Sequence, residues 1–299
     1  MSLLAVGTLA FDAIETPFEH RAEQLGGSAT YFAHAARFFG PVRLVGVVGT
    51  DFSDGTLRSL SALGIDVRGI EVAQGKTFRW AGRYEADWNT RHTLDTQLNV
   101  FEHFDPKVPQ EFRDASFVFL ANAEPAIQMR ALEQCPAPKL VMADTMNLWI
   151  DSKLRDLEEL LRRVHGLVIN EEEARMLTGR LNLFQAARLL LERGPRFVIL
   201  KKGEHGAFLF GRDLRYALPA YPVEEVVDPT GAGDAFAGGF MGYLAAVQNT
   251  QGPTLRRAML YGTVTASMCV EGFSVEGLAR QERSDVESRF NELASLVTP

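Results

Sequence analysis

The 299-residue sequence predicts an α/β protein with a doubly wound, mostly parallel sheet flanked by helices, together with a small additional β layer. Two observations predict this architecture. First, short apolar runs rich in Val, Ile, Leu and Phe alternate with longer helical patterns, and such alternation is typical of parallel sheets covered on both faces. Second, the segment from Lys76 to Phe104 is rich in aromatics, Thr and charge and has no helical period, which predicts the additional layer.

The apolar runs read as strands because they are short, uninterrupted and suited to burial on both faces. The predicted strands are Leu3–Leu9, Val42–Val48, Val67–Val72, Phe117–Leu120, Lys139–Ala143, Gly166–Asn170, Phe197–Leu200 and Ala207–Phe210. The predicted helices are Ala29–Phe39, Gly55–Leu63, Ala126–Glu133, Ser152–Val164, Glu171–Leu177, Phe184–Arg193, Asp234–Gln248, Thr254–Val270 and Asp285–Leu296. Pro125 suits a first helical turn, whereas Gly40, Gly64 and Gly179 are stop signals.

The segment from Phe11 to Leu25 has a mixed character similar to that of Lys76 to Phe104, and the two segments are predicted to form one small β layer beside the large domain. A structureless loop of about 30 residues is uncommon inside a compact domain, which favours strands for the longer segment. The predicted large domain therefore comprises residues 1–10, 26–72 and 105–299, and the predicted β lid comprises residues 11–25 and 73–104.

Composition excludes several classes of protein. The formal charge is −7 with no long basic run, so nucleic acid is a poor partner. No apolar run reaches the roughly 18 residues of a membrane helix. Cys135 and Cys269 lie far apart without metal-ligand spacing and read as reduced thiols. A cytoplasmic protein without membrane or nucleic-acid partners is expected.

The most informative segment runs from Val226 to Phe240, where an apolar run leads through a Gly-rich turn into a helix of small residues. Small residues at Gly231, Ala232 and Gly233 let a polyanion approach the backbone amides at a helix N-terminus. A carboxylate there repels phosphate, so Asp234 is unexpected in a site that only binds anions. It is expected if Asp234 takes a proton from a hydroxyl that attacks a phosphoryl group.

This string, Asp-x-Thr-Gly-Ala-Gly-Asp before a small-residue helix, resembles the C-terminal signature of the PfkB carbohydrate kinase family, also called ribokinase-like. The resemblance implies Asp234 as catalytic base and Gly231, Ala232 and Gly233 as the anion hole for the transferred phosphoryl group. It also implies a monovalent-cation site near Asp228 and Thr230.

Further family features occur in order from Gly7 to about Gly272. Asp12 after the first strand, and Gly26 and Gly27 before a helix, resemble the acceptor-binding residues. Asp144-Thr145-Met146-Asn147 resembles an Asp-x-x-Asn variant after a central strand. Asn170 and Glu173 match Asn-x-x-Glu, which in the family orients Mg²⁺, largely through water, and phosphate. Lys201, Gly203 and Gly206 resemble the turn that meets the nucleotide.

The sequence departs from the family pattern at three positions. Pro229 replaces a frequent Thr, Tyr31 stands where many members have an acceptor-binding Asn, and Ser28 stands where ribose-specific members have Lys. Tyr31 is kept as a candidate acceptor contact. Asn122, after the Phe117–Leu120 strand, is a second candidate, with turn geometry as the alternative.

Lid side chains allow two interpretations. The aromatic residues Trp80, Trp88, Phe101 and Phe104 either stack on a base or sugar, or pack against one another or a partner subunit. The arginines Arg79, Arg83 and Arg91 either grip an acidic or phosphorylated acceptor or are solvated strand charges.

The resemblance implies a kinase that transfers the γ-phosphoryl group of ATP to a hydroxymethyl group of a sugar or sugar-like acceptor. An adenosine-type nucleoside kinase of the same fold and a non-catalytic sugar-binding sensor are the alternatives. The expected cofactors are ATP, Mg²⁺ held through Glu173, and K⁺ near Asp228. The lid is expected to exclude water and, because its edges need cover, to form a homodimer.

Overall fold

The computed structural model describes residues 2–297, and its centre is a nine-stranded sheet. Its strands are β1 (Leu3–Val6), β4 (Val42–Gly49), β5 (Ile65–Ala73), β8 (Phe117–Leu120), β9 (Leu140–Asp144), β10 (Gly166–Asn170), β11 (Phe197–Lys201), β12 (Ala207–Gly211) and β13 (Arg215–Leu218). Their order is β13-β12-β11-β10-β9-β8-β1-β4-β5. Neighbours pair in parallel except at β11–β12 and β12–β13.

Helices cover both faces of this sheet, as a doubly wound fold requires. The helices are α1 (Ser28–Ala36), α2 (Asp54–Ala62), α3 (Pro125–Glu133), α4 (Asn147–Ser152), α5 (Leu154–Leu161), α6 (Glu171–Thr178), α7 (Leu183–Glu192), α8 (Ala232–Val247), α9 (Gly252–Cys269), α10 (Glu276–Ala279) and α11 (Arg283–Val297). One core layer packs α1, α2 and α8–α11 on the sheet, and the other packs α3 to α7. The predicted fold class is confirmed.

Local sequence explains several helix ends. The side chains of Ser53 and Asn182 cap α2 and α7 by accepting backbone N–H bonds. Pro125 occupies the first position of α3, where its missing N–H costs nothing. Gly179 ends α6 in the left-handed conformation that glycine adopts without penalty.

A second sheet of four strands lies beside the first. Its strands are β2 (Ala10–Glu15), β3 (His20–Gly26), β6 (Phe78–Tyr84) and β7 (Arg91–Gln97), in the order β3-β2-β6-β7. Strand β2 pairs antiparallel with β3 and parallel with β6, which pairs antiparallel with β7. We call this sheet the lid. The division of the chain into a large domain and a lid domain stays a prediction.

Four elements differ from the prediction. Strand β1 ends at Val6 rather than Leu9, because the chain turns there and begins the lid at Ala10. Strand β13 and helix α10 are too short to give a periodic signal, and the prediction missed both. Helix α4 was not predicted either: the helix predicted at Ser152–Val164 corresponds to α5, and α4 ends where that prediction begins.

Several lid-segment side chains pack inside the protein. Phe101 and Phe104 are buried against each other, with ring centres 5.6 Å apart, in the core of the large sheet. Trp88 packs on Phe18, and the Trp80 ring lies over Gly82, where an added Cβ would overlap it. These contacts favour packing over ligand stacking for the aromatics. Within residues 2–297, no helix is both long and apolar enough to span a membrane.

Candidate active site

Three adjacent parallel strands end in polar residues at one edge of the large sheet. Strand β9 ends at Asp144, β10 at Asn170 and β11 at Lys201. Asn170 pairs with Lys201 in register. The carboxyl ends of parallel strands are where open α/β sheets bind ligands. The Lys201 Nζ lies 3.7 Å from Asp144 Oδ2, and both side chains are largely buried.

The loop before α8 presents backbone amides to this edge. Helix α8 begins at Ala232 after Gly231, which is left-handed, and no side chain caps it. Within residues 2–297, the amides of Gly231, Gly233 and Asp234 make no backbone hydrogen bond, whereas the Ala232 N–H donates to Pro229 O at 3.2 Å. Of the three amides predicted to form an anion hole, those of Gly231 and Gly233 are free of backbone bonds and that of Ala232 is engaged, while Asp234 offers a further unbonded amide at the same helix start.

Glycine is needed at two positions here because neighbouring side chains fill the space that a Cβ would occupy. Gly231 has φ +76°, and an added Cβ would overlap the ring of Tyr31. An added Cβ on Gly233 would lie 2.6 Å from Lys201 Nζ. Lys201 therefore reaches the start of α8 only because residue 233 has no side chain.

Asp234 stands among charges from three strands. Burial, the Asp144 carboxylate and the Glu173 carboxylate raise its pKa to about 7, against the opposing effect of Lys201 and Arg91. Burial alone would lower the pKa of Lys201, but Asp144, Glu173 and Asp234 raise it, so the ammonium stays charged. A carboxylate with a pKa near neutrality can accept a proton from a hydroxyl and release it again.

Asn170 and Glu173 form a capping box at the start of α6. Glu173 N–H donates to Asn170 Oδ1 at 2.8 Å, and Asn170 N–H donates to Glu173 Oε2 at 3.0 Å. Burial and Asp144 raise the pKa of Glu173 to about 7, with Lys201 opposing them. This geometry explains the Asn-x-x-Glu spacing structurally, and it leaves Glu173 Oε1 outside the cap.

The carboxylates fit a magnesium ion that arrives with phosphate. In the described part of the chain, no three His, Cys, Asp or Glu side chains are grouped to hold a metal by themselves. Glu173 and Asp144 are nevertheless near-neighbours of Lys201 at the same edge. Mg²⁺ commonly binds one or two carboxylates together with water and nucleotide phosphate, and this arrangement suits that mode.

Asp228 is fully buried and holds the loop. Its Oδ1 accepts from Thr230 N–H at 2.9 Å, and its Oδ2 accepts from Ser274 N–H at 3.3 Å. The Ser274 hydroxyl donates to Leu25 O of the lid, and Thr230 donates to the Tyr84 hydroxyl at 3.1 Å. The loop of residues 228–231 before α8, which we call the phosphate loop after its predicted role, is therefore joined to the lid by two hydrogen-bonded connections.

Asp12 lies on β2, buried beside the Gly-Gly pair. An added Cβ on Gly26 would overlap its carboxylate. Gly27 has φ +93°, and an added Cβ there would lie 2.5 Å from Thr8 O. Burial and the nearby Asp228 raise the pKa of Asp12 to about 8, although the Gly27 amide opposes this. A carboxyl group without a cationic partner favours neutral hydroxyl ligands.

Tyr31 and Asn122 have different surroundings. Tyr31 is 1% exposed, and its hydroxyl has no hydrogen-bond partner within residues 2–297. Asn122 is already engaged: its Oδ1 accepts from Trp149 Nε1 at 3.0 Å, and its amide contacts Met146 Sδ at 3.1 Å. Of the two, Tyr31 has the free polar atom.

The turn after β11 contacts the tip of the lid hairpin. Gly203 has φ +53°, and an added Cβ would lie 2.5 Å from Asn89 Oδ1. Asn89 Nδ2 donates to Glu204 Oε1 at 3.2 Å. Gly206 has φ +83°, and an added Cβ would overlap Leu218 O. Both glycines thus shape a turn that the lid touches.

The sequence does not single out some of the residues that the structure brings to this edge of the sheet. Asp144 appears in it only as part of a motif, although a carboxylate at the end of a buried parallel strand is a usable signal. Tyr84, Asn89 and Ser274 carry no recognisable pattern. For Arg91 the sequence allows either a solvated charge or a ligand contact.

Comparison with known proteins agrees with this geometry. The profile of the pfkB family of carbohydrate kinases matches residues 4–279. The chain is 33% identical over 248 residues to the cytidine kinase of Thermococcus kodakarensis, covering 81% of this chain and 87% of that one. The crystal structure of Methanocaldococcus jannaschii nucleoside kinase has a TM-score of 0.79 at 22% identity and covers 98% of this chain and 99% of that one. Burkholderia thailandensis nucleoside kinase in complex with inosine has a TM-score of 0.81 at 20% identity and covers 97% of each chain.

These matches concern both the fold and the sequence of the chain. The two structures share the fold, and the profile and the 33% identity extend over most of the chain. They confirm the predicted phosphotransferase activity toward a hydroxyl group. The chain belongs to the pfkB family of carbohydrate kinases.

Proposed function

We propose that the protein transfers the γ-phosphoryl group of ATP to the hydroxymethyl group of a nucleoside. The observation that carries the chemistry is Asp234, whose pKa of about 7 suits a base, placed beside the free amides at the start of α8. The nucleoside acceptor is supported by the 33% identity to a cytidine kinase. A free pentose is the second candidate, because Asp12 and the Gly-Gly pair need only hydroxyl groups to bind.

In the proposed reaction, Asp234 accepts the proton of the acceptor hydroxyl. The hydroxyl oxygen forms a bond to the γ-phosphorus, and the bond from that phosphorus to the bridging oxygen of ADP breaks. The amides of Gly231, Gly233 and Asp234 and the Lys201 ammonium offset the charge on the phosphoryl group. Asp234 then releases its proton to solvent.

Residues from the turn after β11 and from the loop before α8 would hold the nucleotide. Lys201, Gly203 and Gly206 would meet its phosphates and base, and Thr230 would contact the phosphate from the loop. Asn170 and Glu173 would orient the metal through water. Mg²⁺, when bound, supplies charge neutralisation to the phosphates.

Asp12, Gly26, Gly27 and Tyr31 would bind the acceptor, with Asn122 as a weaker candidate because its side chain is engaged. Two residues along β2 from Asp12, the lid residue Ile14 packs with Tyr84 of the lid and with Phe273 in a small apolar cluster. An apolar wall next to a hydroxyl-binding carboxylate suits a ribose that carries a base.

A comparison of acceptors tests the proposal. The protein is mixed with ATP and Mg²⁺, and ADP is followed with cytidine, uridine, adenosine, inosine, ribose or deoxyribose. The matched control is Asp234→Asn, and a reaction without acceptor measures hydrolysis. Acceptor-dependent ADP with a nucleoside supports the proposal; turnover confined to ribose and deoxyribose supports the pentose candidate instead. No acceptor-dependent ADP with any of the six contradicts both.

Three further expectations belong to this proposal. K⁺ would bind near Asp228 and raise turnover. A homodimer would form through the lid, whose edge strand β7 is exposed along its length, including Leu94; light scattering on the purified protein measures this. The cytoplasm is the proposed compartment, which fits the free, buried Cys135 and Cys269.

A further inference from the structure

We propose that Arg91 of the lid contacts the terminal phosphoryl group of the nucleotide, so that lid and phosphate loop together form the catalytic site. The inference rests on the proposed function and adds one residue to its machinery. A guanidinium of the lid can reach the phosphate only if its strand presents it to that side, and strand pairing decides this.

Pairing between β6 and β7 fixes the direction of Arg91. Tyr84 and Arg91 are directly opposed in this antiparallel pair, and opposed residues project from the same face of a sheet. Tyr84 accepts a hydrogen bond from Thr230, a residue of the phosphate loop. Arg91 therefore projects toward that loop, whereas Arg83, adjacent to Tyr84, projects from the opposite face.

The hairpin is held on both sides of Arg91. On one side Tyr84 is bonded to Thr230 at 3.1 Å. On the other, Asn89, two residues before Arg91, donates to Glu204 in the turn after β11. These two contacts place Arg91 between the phosphate loop and the predicted nucleotide turn. The Trp80 ring supports the side chain, with the Arg91 guanidinium carbon 5.7 Å from its centre.

Electrostatics agrees with this placement. The Arg91 guanidinium lowers the pKa of Asp234, of Glu173 and of Lys201, so it lies within range of all three. Asp234, Glu173 and Lys201 form one charged cluster, to which Asp144 also belongs. Within residues 2–297, Arg91 makes no ion pair with any carboxylate. An exposed guanidinium near such a cluster, yet without a bonded partner, is suited to a phosphate, which it binds in two-pronged geometry.

The role in transfer requires no proton from Arg91. The acceptor oxygen bonds to the γ-phosphorus, the bond to the bridging oxygen breaks, and Asp234 takes the proton. Arg91 binds the non-bridging oxygens throughout, since arginine stays charged.

The test compares Arg91→Gln and Arg91→Lys with the matched control Arg83→Gln, which removes the same charge from the other face of the same hairpin. Calorimetry measures the Kd of MgATP and of MgADP without acceptor. We expect Arg91→Gln to weaken MgATP about tenfold or more and MgADP less than twofold, as removal of a charged bond to the γ-phosphoryl predicts. Arg83→Gln should leave both Kd values unchanged. The Kd of MgATP for Arg91→Lys should lie between those of the wild-type protein and Arg91→Gln.

Turnover is the second readout. We expect Arg91→Gln to reduce kcat about 10²-fold while the acceptor KM changes less than threefold. Equal weakening of MgATP and MgADP, or behaviour identical to Arg83→Gln, would overturn the inference. If Arg91→Gln weakens MgATP selectively but the wild-type protein phosphorylates no acceptor, the proposed function fails and the Arg91 contact stands. If it phosphorylates a nucleoside and Arg91→Gln is unaffected, this inference fails alone.

Discussion

The ring of Tyr31 lies directly against Gly231, so closely that a side chain at position 231 would overlap it. Tyr31 comes from helix α1, which follows the Gly-Gly pair, and Gly231 is the left-handed residue that ends the phosphate loop just before α8. The contact links α1 to the start of α8, so we expect a substitution at either residue to displace the other.

Replacing Tyr31 by Phe removes a buried hydroxyl that has no partner within residues 2–297. We expect the free energy of unfolding of the unliganded protein to rise by about 1 kcal/mol, since an unpartnered buried hydroxyl is costly. Chemical denaturation measures this. A parallel acceptor titration shows whether the hydroxyl binds substrate: if it does, KM rises, and an unchanged KM removes Tyr31 from the acceptor contacts.

Gly231→Ala should have the opposite effect on stability. It puts a side chain at φ +76° and against the Tyr31 ring, which we expect to cost about 1–3 kcal/mol. The loss in kcat should exceed what unfolding explains at assay temperature, because the free amides move. The control is Gly179→Ala, where φ is +66° but no atom lies within 4 Å of the added Cβ. Equal losses in the two variants would show that backbone strain alone is responsible.

Asp234→Asn keeps the shape of the side chain but cannot take a proton. We expect kcat to fall about 10²–10⁴-fold, the usual effect of removing a positioned base, with MgATP affinity unchanged or tighter because a negative charge is lost. The measurement is kcat and thermal stability in one preparation. Retention of more than about a tenth of wild-type turnover would contradict proton abstraction by this residue.

The pH dependence of stability follows from three raised pKa values: about 8 for Asp12, about 7 for Glu173 and about 7 for Asp234. Between about pH 4 and pH 8 the folded protein holds protons that the unfolded chain has released. The stability these groups confer is therefore present at low pH and lost as the pH rises through the folded values. We expect the unliganded protein to unfold more easily at pH 8 than at pH 5. Asp234→Asn should reduce that difference, and an unaltered pH profile in this variant would contradict the raised pKa of Asp234.

Glu173→Gln separates capping from metal chemistry. The Gln carbonyl can still accept the Asn170 N–H bond, so α6 should keep its cap while the negative charge is lost. We expect a higher Mg²⁺ concentration for half-maximal activity and little change in melting temperature. Asn170→Ala is the converse control, which should cost about 1 kcal/mol of stability. Activity that survives complete chelation of divalent ions would contradict the metal assignment.

Asp12→Asn tests the acceptor pocket. In an assay above the Asp12 pKa of about 8, this substitution replaces a charged acceptor of hydroxyl bonds by an amide of the same size, which fits in the same space beside Gly26. We expect acceptor binding to weaken by about 1.5–3 kcal/mol with MgATP affinity unchanged. Calorimetry with the acceptor identified by the ADP assay measures it, and an unchanged acceptor affinity would remove Asp12 from the pocket.

Much of the fold was predictable because its signals are local. Seven of the predicted strand runs overlap central strands whose neighbours bury them on both faces, and Asn170, Asn182 and Pro125 mark helix starts by chemistry within a few residues. Strand β13 was not predicted because an edge strand of four residues with one exposed face has too short a hydrophobic pattern to be recognised. The phosphate loop was found because its small residues and its carboxylate are contiguous in the chain.

The sequence by itself determined the α/β fold class, the family, and the segment from Asp228 to Asp234, because each depends on residues close together in the chain. Only the tertiary structure decided that Lys201 reaches Gly233, that Ala232 is not a free amide, and that the lid is bonded to the loop through Tyr84 and Thr230. It also decided that Arg91, and not Arg83, shares a face of the lid with Tyr84, since strand register and pairing are set by contacts between distant segments.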